Sequence, residues 1–111
     1  MSSPTRRSLE KLRAIGYAAD VVERWIPRAN VRRDLFSCID LVAIRADKPG
    51  VLGIQACTAG DVSKRLRKIS SIAAARTWLL AGNRLAVWGW RKAGRRWFVR
   101  KRDVRMEDLR G

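Results

Sequence analysis

The sequence predicts an α+β fold. A single domain over residues 1–111 would carry an N-terminal helix, a three-stranded meander, a basic helix and a C-terminal β-hairpin. Three observations predict it. Leu9, Leu12 and Ile15 recur at helical spacing behind Ser3-Pro4. The runs 36–44 and 51–57 are dense in apolar and β-branched residues and are joined by turn formers. Two further strand-like runs, 85–90 and 96–101, flank Lys92-Ala93-Gly94. A chain of 111 residues that is 47% hydrophobic can bury one core of ordinary size.

Ser3 reads as an N-cap with proline in the first helical turn, and the first helix ends at Gly16. Residues 18–25 alternate loosely and stop at Pro27, as a strand does before a polar loop, and the arginine-rich residues 28–34 read as that loop. Residues 36–44 and 51–57 then form an antiparallel hairpin across Arg45-Ala46-Asp47-Lys48-Pro49-Gly50. Both runs are apolar on two faces in places, which predicts central strands covered by helices. Asp61 is the candidate N-cap of a helix with Val62, Leu66 and Ile69 on one face. Ser70-Ser71 bend or break it, and a second helical run, 72–81, ends at Gly82-Asn83. The C-terminal hairpin follows.

The chain carries 25 Lys and Arg against 10 Asp and Glu and no histidine, a formal charge of +15. The sequence pI is about 11.6. Such a balance selects polyanionic partners, and DNA or RNA comes first because neutralising phosphates releases counterions. A membrane partner is disfavoured, since no stretch offers about 18 consecutive apolar residues or a continuous greasy helical face. Residues 1–3 lack an apolar signal-peptide core, so the expected compartment is a reducing cytoplasm with Cys38 and Cys57 as thiols. Both cysteines read as small core hydrophobes, and two cysteines without histidine cannot close a four-ligand zinc site.

Polar groups inside the two central strands carry the functional argument. Asp40 lies between Ile39 and Leu41, and an ionised carboxylate taken out of water must be paired or bound to a metal. Alternation along the strands puts Asp40 on one face with Cys38, Val42 and Ile44, and Gln55 on one face with Gly53 and Cys57. Closing the hairpin with Ile44 opposite Val51 sets Asp40 opposite Gln55 and Cys38 opposite Cys57, with Cβ atoms roughly 5 Å apart. Structural readings stand beside this. Asp40 could pair with Arg33, Asp34 could cap a loop or strand, Glu23 could face solvent or join a salt bridge, and Gln55 could bond backbone inside the sheet.

The element order and the pair Ile39-Asp40 and Gln55-Ala56-Cys57 resemble the PD-(D/E)XK nuclease superfamily, in particular its small Holliday-junction-resolvase-like members and their phage and prophage relatives. In that family a helix precedes a meander, an Asp lies on the second strand, and Glu or Gln followed by Lys two residues on lies on the third. The resemblance covers roughly residues 5–101 by element order and implies a restriction-endonuclease-like core, DNA as substrate and Mg²⁺ or Mn²⁺ held by Asp40 and Gln55. Oxygen ligands suit such hard ions, which keep waters for phosphate chemistry. It also implies a homodimer, with the aromatic C-terminal hairpin as an interface. Three departures stand in this sequence. No proline precedes Asp40, Gln55 is neutral where a carboxylate is usual, and Cys57 stands where the family has Lys. Asp34 or Glu23 could add the carboxylate, and Lys64 or Lys68 the cation.

Arg28, Arg32 and Arg33 in the loop, and Lys64, Arg65, Arg67 and Lys68 on the helix, bracket this constellation and are the expected phosphate contacts. Of five tryptophans, Trp88, Trp90 and Trp97 fall among the arginines of the C-terminal hairpin, where they could stack on bases or pack in a core or interface. Trp25 and Trp78 read as core. The expected function is therefore DNA binding with metal-dependent phosphodiester hydrolysis on DNA that could be branched. The alternatives are a DNA-binding relative without the chemistry and a small basic RNA-binding protein.

Overall fold

The computed structural model describes residues 3–110 and has the α+β architecture. Helix α1 (Pro4–Ala14) begins as its sequence requires: Ser3 accepts a hydrogen bond from the Arg6 N–H at 3.1 Å and Pro4 occupies the first turn. It buries Ser8, Leu9 and Leu12. Strand β1 (Ala18–Val21) follows and pairs antiparallel with β4 (Leu41–Ile44). Strand β4 pairs antiparallel with β5 (Leu52–Thr58), and helices α2 (Val62–Ser70) and α3 (Ala73–Leu80) carry the chain over to β6 (Arg84–Ala93). Strand β6 runs parallel to β5, as a helical crossover demands, and turns back into β7 (Arg96–Asp103). The sheet order is β1-β4-β5-β6-β7.

Both faces of the sheet are covered, each by a distinct apolar cluster. Leu9 and Leu12 of α1 pack on Leu41, Ala43, Ile54, Ala56, Trp88 and Trp90. On the opposite face Val62, Ile69 and Ala75 of α2 and α3 pack on Cys57, Leu85 and Val87. Gly89 permits that second approach, since a Cβ there would collide with the Val62 side chain and crowd the Ala59 Cα. Gly82, at φ +91, ends the α3 region in the left-handed conformation its sequence position predicts.

Several expected boundaries move. The run 18–25 is two strands, because the Val22 and Glu23 N–H groups both donate to the Asp40 carbonyl, at 2.8 and 3.2 Å, and the chain then leaves the sheet. It continues as β2 (Arg24–Ile26), which pairs antiparallel with β3 (Val31–Arg33) in a separate two-stranded sheet. The supposed loop 28–34 thus contains a strand. The run 36–44 is a strand only from Leu41 on. Before it the chain makes a compact turn in which the Cys38 and Ile39 N–H groups donate to the Leu35 carbonyl and Phe36 and Ser37 take φ of 53° and 62°. Cys38 and Ile39 are buried there by turn geometry and not by a ladder, while Phe36 is half exposed. The hairpin register is the expected one, with Leu41 opposite Ile54 and Val42 opposite Gly53, but Cys38 lies in the turn and not across a strand from Cys57. Both cysteines are free and buried. Asp61 precedes α2 without a side-chain capping bond. Trp25, expected in the core, is 53% exposed.

Candidate metal and nucleic-acid site

Three segments converge at the end of β4. Asp40 is the residue before the strand, Gln55 stands in β5, Asp34 opens the turn that follows β3, and Glu23 lies between β1 and β2. The antiparallel register brings Asp40 and Gln55 side by side. The Gln55 Nε2 donates to Asp40 Oδ2 at 2.8 Å and to Asp34 Oδ2 at 3.3 Å, and the Ala56 N–H donates to Asp40 Oδ2 at 2.8 Å. One carboxylate oxygen from each of Glu23, Asp34 and Asp40 lies within 4.8 Å of the other two. Asp40 is buried, while Asp34 and Glu23 are partly exposed at the mouth.

Three carboxylates this close repel one another unless protons or cations intervene. Burial pushes the Asp40 carboxyl up to about 7, and a hydrogen bond shared with Asp34 pushes the same way. The Ala56 N–H and the Gln55 amide oppose both. Basic side chains supply part of the compensation. Lys68 Nζ on α2 lies 4.0 Å from Asp34 Oδ2, and the Arg32 guanidinium donates to Glu23 Oε1 at 3.3 Å. The Gln55 Oε1 is buried without any hydrogen-bond partner, although buried amide oxygens are normally satisfied. A half-turn of that amide would offer Oε1 in place of Nε2 to whatever occupies the site.

The structure therefore brings together Asp40, Gln55, Asp34 and Glu23. Lys68 joins them, whereas Lys64 is exposed on α2 and forms no ion pair among the described residues. The Asp40–Arg33 ion pair considered as a structural alternative is not formed, since the Asp40 partners are Gln55, Ala56 and Asp34. Arg28, Arg32 and Arg33 are exposed around β3, and Lys64, Arg67 and Lys68 are exposed on α2. Arg65 is half-buried with its Nε lacking a partner. The Ala56 N–H was not foreseeable, because a backbone donor leaves no mark in the residue alphabet. Compared with protein-family models, curated proteins and solved structures, the chain finds no match.

Proposed function

We propose that the protein binds DNA and hydrolyses its phosphodiesters with the help of a divalent cation, Mg²⁺ or Mn²⁺, held at this site. One observation carries the proposal: a chain of net charge +15 gathers three carboxylate oxygens within 4.8 Å of each other at a strand end, against the tendency of so basic a protein to spread its few acids over its cations. The donor set fits a hard cation. Asp40, Asp34 and Glu23 offer anionic oxygens, and the orphaned Gln55 Oε1 offers a neutral one. When bound, the cation offsets charge on the scissile phosphate and acidifies a coordinated water.

The chain's own residues set the conditions for that chemistry. Asp40 must release its proton to serve as a ligand, and the Ala56 N–H holds its Oδ2 in place while the Gln55 amide turns over to present Oε1. Lys68 stands beside Asp34 as the positive charge that a cysteine at position 57 cannot provide. Arg28, Arg32, Arg33 and the α2 cations supply phosphate contacts on both sides of the acids. The order of helix, meander, helical crossover and parallel strand supports the nuclease resemblance.

A second reading, a DNA-binding relative without the chemistry, draws on one observation. The Gln55 Nε2 donates to both Asp40 and Asp34, a role an ionised glutamate could not play. The deciding experiment incubates the protein and its Asp40→Ala variant with labelled single-stranded, duplex and four-way-junction DNA in Mg²⁺, Mn²⁺ or EDTA, following cleavage and gel retardation together. Cutting that needs both metal and Asp40 is expected. Retardation without cutting in either metal would favour the second reading.

A further inference from the structure

We propose that the β2–β3 hairpin is a finger that stacks Trp25 on an unpaired base of the DNA strand, next to the acidic site. The inference deepens the proposed function by specifying single-stranded character in the substrate, and it rests on the DNA-binding part of that reading.

Four of the five tryptophans have an internal partner. The Trp78 Nε1 donates to the Arg84 carbonyl, and the Trp90 Nε1 donates to Ser8 Oγ. Lys101 lies over Trp88, and the Arg7 guanidinium lies 3.4 Å from the centroid of Trp97. Trp25 has none among the described residues, and at 53% exposure it is the most open of the five. An indole left half exposed on a small hairpin, with no hydrogen-bond or cation partner on its ring among the described residues, has a large flat surface free for a ligand.

The hairpin's location says what covers it. Its two strands run between Glu23 and Asp34, so both legs are rooted in the acid cluster. Trp25 pairs across the ladder with Arg32, and Arg32 reaches back to Glu23. Val21, Glu23, Arg24, Trp25 and Arg32 line one recess of about 190 Å³, so an indole face, two guanidinium groups and a ligand carboxylate border the same space. The finger carries Arg24, Arg28, Arg32 and Arg33 and no acid between Arg24 and Arg33. Its complement is a polyanion with a flat aromatic group exposed, which describes a nucleotide out of its duplex stack. In a continuous duplex the base faces are covered by their neighbours, and only the phosphate contacts remain available.

Binding of a fluorescein-labelled oligothymidylate and of a duplex of mixed sequence is measured in EDTA, so that no strand is cut, for the parent chain, Trp25→Ala and Trp25→Phe. Stacking predicts that Trp25→Ala loses roughly tenfold to a hundredfold in affinity for the single strand. Trp25→Phe should keep most of it, and duplex affinity should change by less than about threefold. Tryptophan fluorescence should be quenched by the oligonucleotide in the parent and much less in Trp25→Phe. An unchanged single-strand affinity in Trp25→Ala, or equal losses on both DNAs, overturns the proposal. Because Asp40→Asn removes cutting but leaves the finger, the stacking claim and the nuclease claim fail separately. Circular dichroism confirms that the variants fold.

Discussion

The two arginine- and tryptophan-rich hairpins have similar compositions and opposite fates. In β6–β7, Trp88 and Trp90 lie two residues apart on the sheet face that α1 covers. They are buried, and Trp90 is bonded to Ser8 of α1. In β2–β3, strands of three residues stand in a sheet of their own, and Trp25 projects into solvent beside the acids. The difference lies in what packs on each strand pair, not in which residues it contains. The long strand β6, embedded in the main sheet, acquires a helix on the face it presents, so Trp88 and Trp90 become core, while Trp97 on the edge strand β7 stays 42% exposed under the Arg7 guanidinium. A short hairpin that leaves the sheet has no helix to meet, and its tryptophan stays half exposed.

Truncation should separate the two hairpins most sharply. Trp90→Ala removes a buried ring and its hydrogen bond, and should cost about 3–5 kcal/mol of stability in urea unfolding. Trp25→Ala should cost less than about 1 kcal/mol in the same measurement. Equal costs would erase the contrast.

The close packing behind β6 provides the next test. Gly89→Ala must displace Val62 or the Ala59 backbone, and should destabilise by about 1–3 kcal/mol, read as a fall in the urea midpoint. A neutral result would mean that α2 can lift away from the sheet.

The acidic site predicts a dependence of stability on pH. The Asp40 pKa is about 7 in the folded chain against an ordinary 3.8, so between those values the folded state holds a proton that the unfolded state has lost. The stability from this group is fully present below the unfolded value and is lost as pH rises through about 7. The parent should therefore melt several degrees lower at about pH 8 than at about pH 5, and Asp40→Asn should flatten that slope and raise stability at the alkaline end. Adding Mn²⁺ at about pH 8 should restore stability to the parent and not to the variant. A smaller effect is expected at Lys68. Its 4.0 Å approach to Asp34 is partly exposed, so Lys68→Gln should change stability by less than about 1 kcal/mol while lowering cleavage more than Lys64→Gln does.

Much of this was legible in the residues. The helical spacing of Leu9 and Leu12, the turn at Pro49-Gly50 and the alternation around Asp40 and Gln55 record local rules, and they led to α1, the β4–β5 register and the contact between those two side chains. The unread parts depend on tertiary placement. The two N–H bonds to the Asp40 carbonyl that expel residues 22–26 from the sheet are backbone events, and no side chain announces them. The turn at residues 34–39 is rich in apolar residues and so imitates a strand, although only Cys38 and Ile39 of them are buried. Trp25 reads as core because large apolar residues usually are. Only the absence of a covering element shows otherwise.

The central claim is that Glu23, Asp34, Asp40 and Gln55 hold a divalent cation. Titrating the protein with Mn²⁺ and following the free ion by electron paramagnetic resonance, at a pH above 7 where Asp40 has given up its proton, tests it most directly. The proposed cation site requires one Mn²⁺ per chain, lost or severely weakened in Asp40→Asn and in Asp34→Asn. Mn²⁺ binding that is equal in parent and variants, or absent from the parent, would contradict it.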